Sequence, residues 1–127
     1  MDIKTIFLSS LILLFLDYIY LSSHTKYFQS VFKSIQNSKL NIKYSGVILC
    51  YLILVFFINY FILEDNKKTI KDSFFFGMCI YGVYEMTNYA TIDKWPIYMV
   101  FADTIWGGIL FSLTVYLTRK IKSYYKI

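Results

Sequence analysis

Apolar residues in this chain fall into four long runs separated by polar stretches. The runs extend approximately from Ile3 to Leu21, Tyr44 to Leu63, Ser73 to Ala90 and Ile97 to Thr118. Each approaches the roughly 20 residues that a helix needs to cross a hydrocarbon core about 30 Å thick. Between them lie segments that a bilayer would exclude, notably EDNKKTIKD from Glu64 to Asp72 and RKIKSYYKI from Arg119 to Ile127. The pattern predicts an all-α fold, an integral membrane four-helix bundle. It forms a single membrane domain over residues 1–127, which leaves nothing for a second, soluble domain.

The loop after the first run has its own periodicity. Phe28, Phe32 and Ile35, with Tyr27 and Val31, recur opposite Lys26, Gln29, Lys33 and Gln36. That spacing predicts a short amphipathic helix lying in the membrane interface. Lys4 ahead of an apolar run, with Ser22 and Ser23 behind it, is also the pattern of a secretory signal, but Asp17 inside the run favours a retained helix. Asp72 or Ser73 is placed to cap the third helix. Asp93 with Trp95 and Pro96 marks the start of the fourth, with Trp95 expected at headgroup level. Gly77, Gly82, Gly107, Gly108 and Ser112 remove bulk where helix backbones can approach one another.

Composition agrees. Of 127 residues, 57% are hydrophobic and 21% aromatic, and the mean hydropathy of +0.52 is too high for a soluble domain of this size. The lipid bilayer is therefore the first expected partner. The net charge of +5 is accounted for by flanking loops and headgroups, and no nucleic-acid motif occurs. Eight basic residues (Lys4, Lys67, Lys68, Lys71, Arg119, Lys120, Lys122, Lys126) flank one side of a four-span bundle and five (Lys26, Lys33, Lys39, Lys43, Lys94) the other. The excess favours both termini in the cytoplasm. Cys50 and Cys79 fall mid-span and read as small apolar fillers.

Ionisable groups interrupt the apolar runs at three places, Asp17, Glu85 and Asp103. At a rise of 1.5 Å per residue, they lie roughly 6, 8 and 9 Å from the nearer ends of their spans. Because the first and third helices run one way and the fourth returns, all three sit near one depth. Helical facing groups Gly77, Tyr81, Glu85 and Asn88 on one side of the third helix, and Asp103, Trp106 and Leu110 on one side of the fourth. Ser10, Asp17 and His24 share a face of the first. The expected site is one polar pocket of Asp17, Tyr81, Tyr84, Glu85, Thr87, Asn88, Asp103 and Trp106, with His24 as a proton relay at its mouth. A carboxylate at the centre of a membrane helix costs about 2.5–3.5 kcal/mol, and no Lys or Arg lies inside a span to neutralise these. They must then share protons, accept hydrogen bonds, be hydrated, or hold a cation. No His spacing suggests a metal site, and no cofactor is expected.

The run from Tyr81 to Thr91 (YGVYEMTNYAT), the Trp95–Pro96 pair and the run from Asp103 to Gly107 (DTIWG) resemble the signature of the domain-of-unknown-function 2177 family of small membrane proteins. Its members carry Y-x-x-Y-[DE]-x-T-N-x-A, W-P and D-x-x-W-G, and an aspartate late in the first helix. Asp17, Tyr20 and Leu21 match the last feature, with Tyr where Trp is usual. The resemblance implies a four-helix membrane protein with these polar residues as its signature, and it carries no activity.

Three functions remain open. The leading one is a pocket that binds a proton, a cation or a small polar or amine-bearing ligand for transport or sensing. Small four-helix transporters that work as homodimers show the size to be sufficient. The second is a membrane enzyme acting on a lipid or isoprenoid with Asp17, Glu85 or Asp103 as acid and base. The third is a structural membrane or envelope component. The absence of a phosphate loop or nucleophile elbow weighs against an enzyme.

Overall fold

A computed structural model describes residues 1–127. The chain is all-helical: α1 (Ile3–Ser23), α2 (Thr25–Gln36), α3 (Tyr44–Ile58, continued by a π-helical turn over Asn59–Leu63), α4 (Ile70–Thr91) and α5 (Ile97–Tyr125). Four long helices form the bundle, and α2 is the short amphipathic helix read from the first loop. Length and hydropathy alone qualify α1, α3 with its π-helical turn, and α5 to cross a membrane. α4 is more polar on average, because Glu85 and Asn88 interrupt it. Its outward face, with Phe75, Cys79, Val83 and Met86 exposed, is nevertheless apolar and suited to lipid. The whole is a four-helix membrane bundle.

Two helix ends differ from the sequence expectation. α4 starts at Ile70 because Thr69 is its N-cap. The Thr69 hydroxyl accepts from the Asp72 N–H, and the Asp72 carboxylate accepts from the Thr69 N–H, a reciprocal pair that satisfies two otherwise free donors. α5 continues past Thr118 to Tyr125, carrying the basic tail as helix. There Arg119 donates to the carbonyls of Lys68 (2.7 Å), Asp65 (3.3 Å) and Ile62 (3.4 Å), tying α5 to the α3–α4 loop and to the last turn before it. The Met1 ammonium lies 2.9 Å from Glu64, so the N-terminus, the α3–α4 loop and the last turns of α5 share one end of the bundle.

Packing is closest between the antiparallel α4 and α5. A β-carbon at Gly77 would run into the backbone of Gly107 and the side chain of Phe111, and one at Gly108 would come within 2.8 Å of Met78 and Phe74. Only hydrogen fits at these positions. Gly82 differs, with Thr104 at ordinary contact distance, and the Ser112 hydroxyl bonds its own helix at Ile109. Below this crossing Leu13, Leu54, Ile58, Ile62, Leu110, Phe111 and Val115 form the main core. Deleting a buried Leu or Ile from such a core typically costs about 2–5 kcal/mol. A second apolar cluster, Val31, Trp95, Met99 and Val100, clamps α2 over the α4–α5 loop.

Candidate functional site

The buried face of α1 is a four-residue ladder, Thr5, Ser9, Leu13 and Asp17, at the i, i+4 spacing that stacks side chains on one side of a helix. Asp17 is 5% exposed, and both its oxygens are occupied. Trp106 Nε1 donates to one at 2.9 Å and the Tyr51 hydroxyl donates to the other. Asp103, one turn before Trp106 on α5, accepts from the Tyr20 hydroxyl. Tyr20 is itself stacked on Trp106, with ring centroids 4.6 Å apart. Glu85 of α4 has no exposure at all, and Trp95 Nε1 donates to its Oε1 at 2.9 Å. Phe32 and Tyr84 stand edge-on to Trp95 and hold its indole in place.

A common device emerges. Each carboxyl is satisfied by an O–H or N–H on an aromatic ring, so the donor brings an apolar body into the membrane and no compensating charge. Hydrogen bonds to charged groups are worth about 1.5–3 kcal/mol, the scale of the cost of placing a carboxylate mid-span. Glu85 is the exception to full satisfaction. Its Oε2 is buried and receives no hydrogen bond. The Asp103 carboxyl lines the same cavity, and when ionised it too is only an acceptor. No protein group supplies a donor to Oε2, so its deficit calls for a proton or for a donor from outside the protein.

The three carboxyls line one cavity of about 600 Å³ between α1, α3, α4 and α5, roofed by Phe28 and Phe32 of α2. Of its 19 lining residues 14 are hydrophobic. The polar groups are therefore few and concentrated. Lys43, Gly46, Val47 and Cys50, which line it from the start of α3, are exposed, so the cavity reaches the lipid-facing surface there. No group of three His, Cys, Asp or Glu side chains converges closely enough to hold a metal ion.

Residues 3–119 match the family described as predicted membrane protein, DUF2177. The chain belongs to that family. The match runs from the first residue of α1 to the Arg119 clamp, so it takes in every residue of the site. Comparison with curated proteins and with solved structures found no match. For this DUF2177 protein the family supplies a membrane architecture and no chemistry.

Of the residues singled out from sequence, Asp17, Tyr81, Tyr84, Glu85, Asp103 and Trp106 line the cavity. Thr87 and Asn88 do not. Thr87, two residues beyond Glu85, points away from it around the helix and is exposed; Asn88 shares the Glu85 face but stands almost a turn further along, half-buried and outside the lining, where its backbone carbonyl accepts from the Ile92 N–H. His24 also stands outside the lining. Its ring stacks on Tyr20 (4.5 Å) and Phe28 (5.8 Å), and Nδ1 lies 3.0 Å from the Tyr20 carbonyl, so it makes no hydrogen bond to a carboxyl. The structure adds Tyr20, Tyr51 and Trp95 as donors. Tyr20 and Trp95 belong to the family signature, where sequence marks them only as a motif residue and a headgroup anchor. Tyr51 sits in an unbroken apolar run with no signal to distinguish it.

Proposed function

We propose that the chain, acting as one membrane domain, binds an amphiphile with an apolar body and a protonated amine or similar cationic head, for transport or sensing. One observation carries the reading: Glu85 Oε2 is buried and unpaired, and its carboxyl shares the wall of a largely apolar cavity with that of Asp103. An ammonium brings the donors this pair lacks and the charge that a membrane carboxylate needs. The apolar lining suits a hydrocarbon body, and about 600 Å³ falls within the 300–1,000 Å³ range typical of small-ligand pockets. The excess of basic residues beside Met1 and Arg119 supports an orientation with both termini in the cytoplasm.

The test is equilibrium binding of decylammonium, decanol and decanoate to the protein in lipid nanodiscs. Decylammonium binds roughly tenfold or more tightly than decanol, a difference of about 1.4 kcal/mol, and decanoate least. The Glu85→Gln, Asp103→Asn double variant keeps its helix content and loses that discrimination. Head-group-independent binding, or binding unchanged in the folded variant, makes the carboxyls interhelical glue. The lipid-enzyme reading draws on the same apolar lining and is separated by chemical turnover of a bound chain.

A further inference from the structure

The outer face of α2 is strongly basic, and the stretch that carries it holds no acidic residue. No Asp or Glu occurs anywhere between Asp17 and Glu64, whereas that stretch contains Lys26, Lys33, Lys39 and Lys43. Lys43 lines the main cavity, and Lys94, the remaining lysine at this end, donates to the Ser34 carbonyl at 3.3 Å. Lys26, Lys33 and Lys39 remain, and none pairs with a carboxylate. These three surround a single recess of about 390 Å³ with Gln29, Ser30 and Leu40.

The recess is built by the local chain path. Asn37 adopts a left-handed conformation (φ 59°) that ends α2 and reverses the chain. Gln36 Nε2 then donates to the carbonyls of Ser38 (3.3 Å) and Lys39 (2.8 Å), fixing the returning segment beside the helix. Lys26 and Lys33, seven residues apart, project from one face of α2, and Lys39 closes the recess from the returning segment. The opposite face of α2 is apolar and clamped through Val31 onto Trp95 and Met99. An amphipathic helix so placed holds its lysines at the level of lipid headgroups.

We infer that this recess is a binding site for the phosphate of an anionic phospholipid headgroup. Three ammonium groups without an ion-pair partner around one hollow complement a phosphate bearing net negative charge, and a zwitterionic headgroup, whose own cation offsets its phosphate, would gain far less. Because Phe28 and Phe32 on the same helix roof the main cavity, a bound headgroup would also pin that roof.

The test extracts the full-length protein from bilayers of equal parts phosphatidylglycerol and phosphatidylcholine, and counts retained lipids by native mass spectrometry. Phosphatidylglycerol is retained over phosphatidylcholine by roughly tenfold. The exposed triple change Lys26→Gln, Lys33→Gln, Lys39→Gln abolishes the preference. The matching change Lys67→Gln, Lys68→Gln, Lys71→Gln, at the opposite end where Glu64, Asp65 and Asp72 stand among the lysines, leaves it intact. Equal retention of both lipids overturns the inference, as does equal loss in the two variants. Displacement of phosphatidylglycerol by millimolar inorganic phosphate also overturns it, marking a site for free anions instead.

Discussion

The two ends of the bundle handle buried polar groups in opposite ways. At the end holding Met1, they are hydroxyls and one amide. Asn59, in the π-helical turn of α3, donates to the Ser9 hydroxyl (2.9 Å) and to the Val55 carbonyl (2.8 Å), and the surrounding core is closed. At the other end, apart from the Thr104 hydroxyl, they are carboxyls held by aromatic donors around an open cavity. Leu13, Leu110 and Phe111, all with no exposure, separate the two. Thr114 and Thr118 at the closed end also have unpaired hydroxyl oxygens. A threonine hydroxyl, however, is one bond rotation from donating to its own helix. An ionised Glu85 cannot donate to anything, so its deficit is open to an external partner. Neutral polar groups fasten the helices at one end; carboxyls border an open cavity at the other.

Packing should break this contrast most violently. Gly77→Leu forces α4 away from the Gly107 backbone and destabilises the bundle by roughly 3 kcal/mol or more, read from denaturant unfolding in mixed micelles. Gly46, at the open end, has nothing within 4 Å of the place a β-carbon would take, so Gly46→Ala is neutral or stabilising by up to about 1 kcal/mol. Equal losses at both sites would erase the distinction between a closed and an open end.

Asn59→Leu sharpens the division of labour. Removing one interhelical hydrogen bond in a membrane costs roughly 1 kcal/mol, and decylammonium binding should be unchanged. A tenfold loss of binding in that variant would show the two ends to be coupled.

The smallest effect concerns helix starts at the closed end. Asp2 is held below its ordinary value of 3.8 by the Thr5 hydroxyl and the Lys4 N–H, and Asp72 by the Thr69 N–H and hydroxyl. A lowered carboxyl pKa means stabilisation that is complete above the ordinary value and is lost as pH falls through the lower, folded one. Amide exchange in the first turns of α1 and α4, relative to intrinsic rates, should therefore rise as pH drops below 3.8, with Asp72→Ala removing the response in α4. Exchange that is flat across that range would mean the caps contribute nothing.

Much of this contrast was legible in the sequence. Long apolar runs gave four helices, the alternation around Phe28 and Phe32 gave α2, and the level of Asp17, Glu85 and Asp103 followed from rise per residue. Side-chain direction was harder. Trp95 beside Pro96 reads as a headgroup anchor, because hydropathy cannot tell whether an indole faces lipid or a carboxyl ten residues earlier. Tyr51 is hidden for a similar reason: in an apolar run a tyrosine ring counts as bulk until its hydroxyl finds Asp17. Thr87 and Asn88 illustrate the reverse: helical twist carries Thr87 away from the cavity, and rise along the helix carries Asn88, on the Glu85 face, past it. The start of α4 at Ile70, capped by Thr69, depended on a reciprocal bond that competes with two equally plausible caps, Asp72 and Ser73, a turn further on.

The central claim is that the Glu85 and Asp103 carboxyls are reached from the bilayer and occupied by a cationic head. Labelling with a membrane-soluble carbodiimide, mapped by peptide mass spectrometry, tests it most directly, since the reagent partitions into apolar cavities and modifies carboxyl groups there. The expected result is modification at Glu85 or Asp103, suppression of that modification by decylammonium and not by decanol, and little reaction at Asp17, whose two oxygens are already occupied. Modification confined to exposed Glu64, Asp65 and Asp93, or modification at Glu85 and Asp103 that decylammonium fails to suppress, would contradict it.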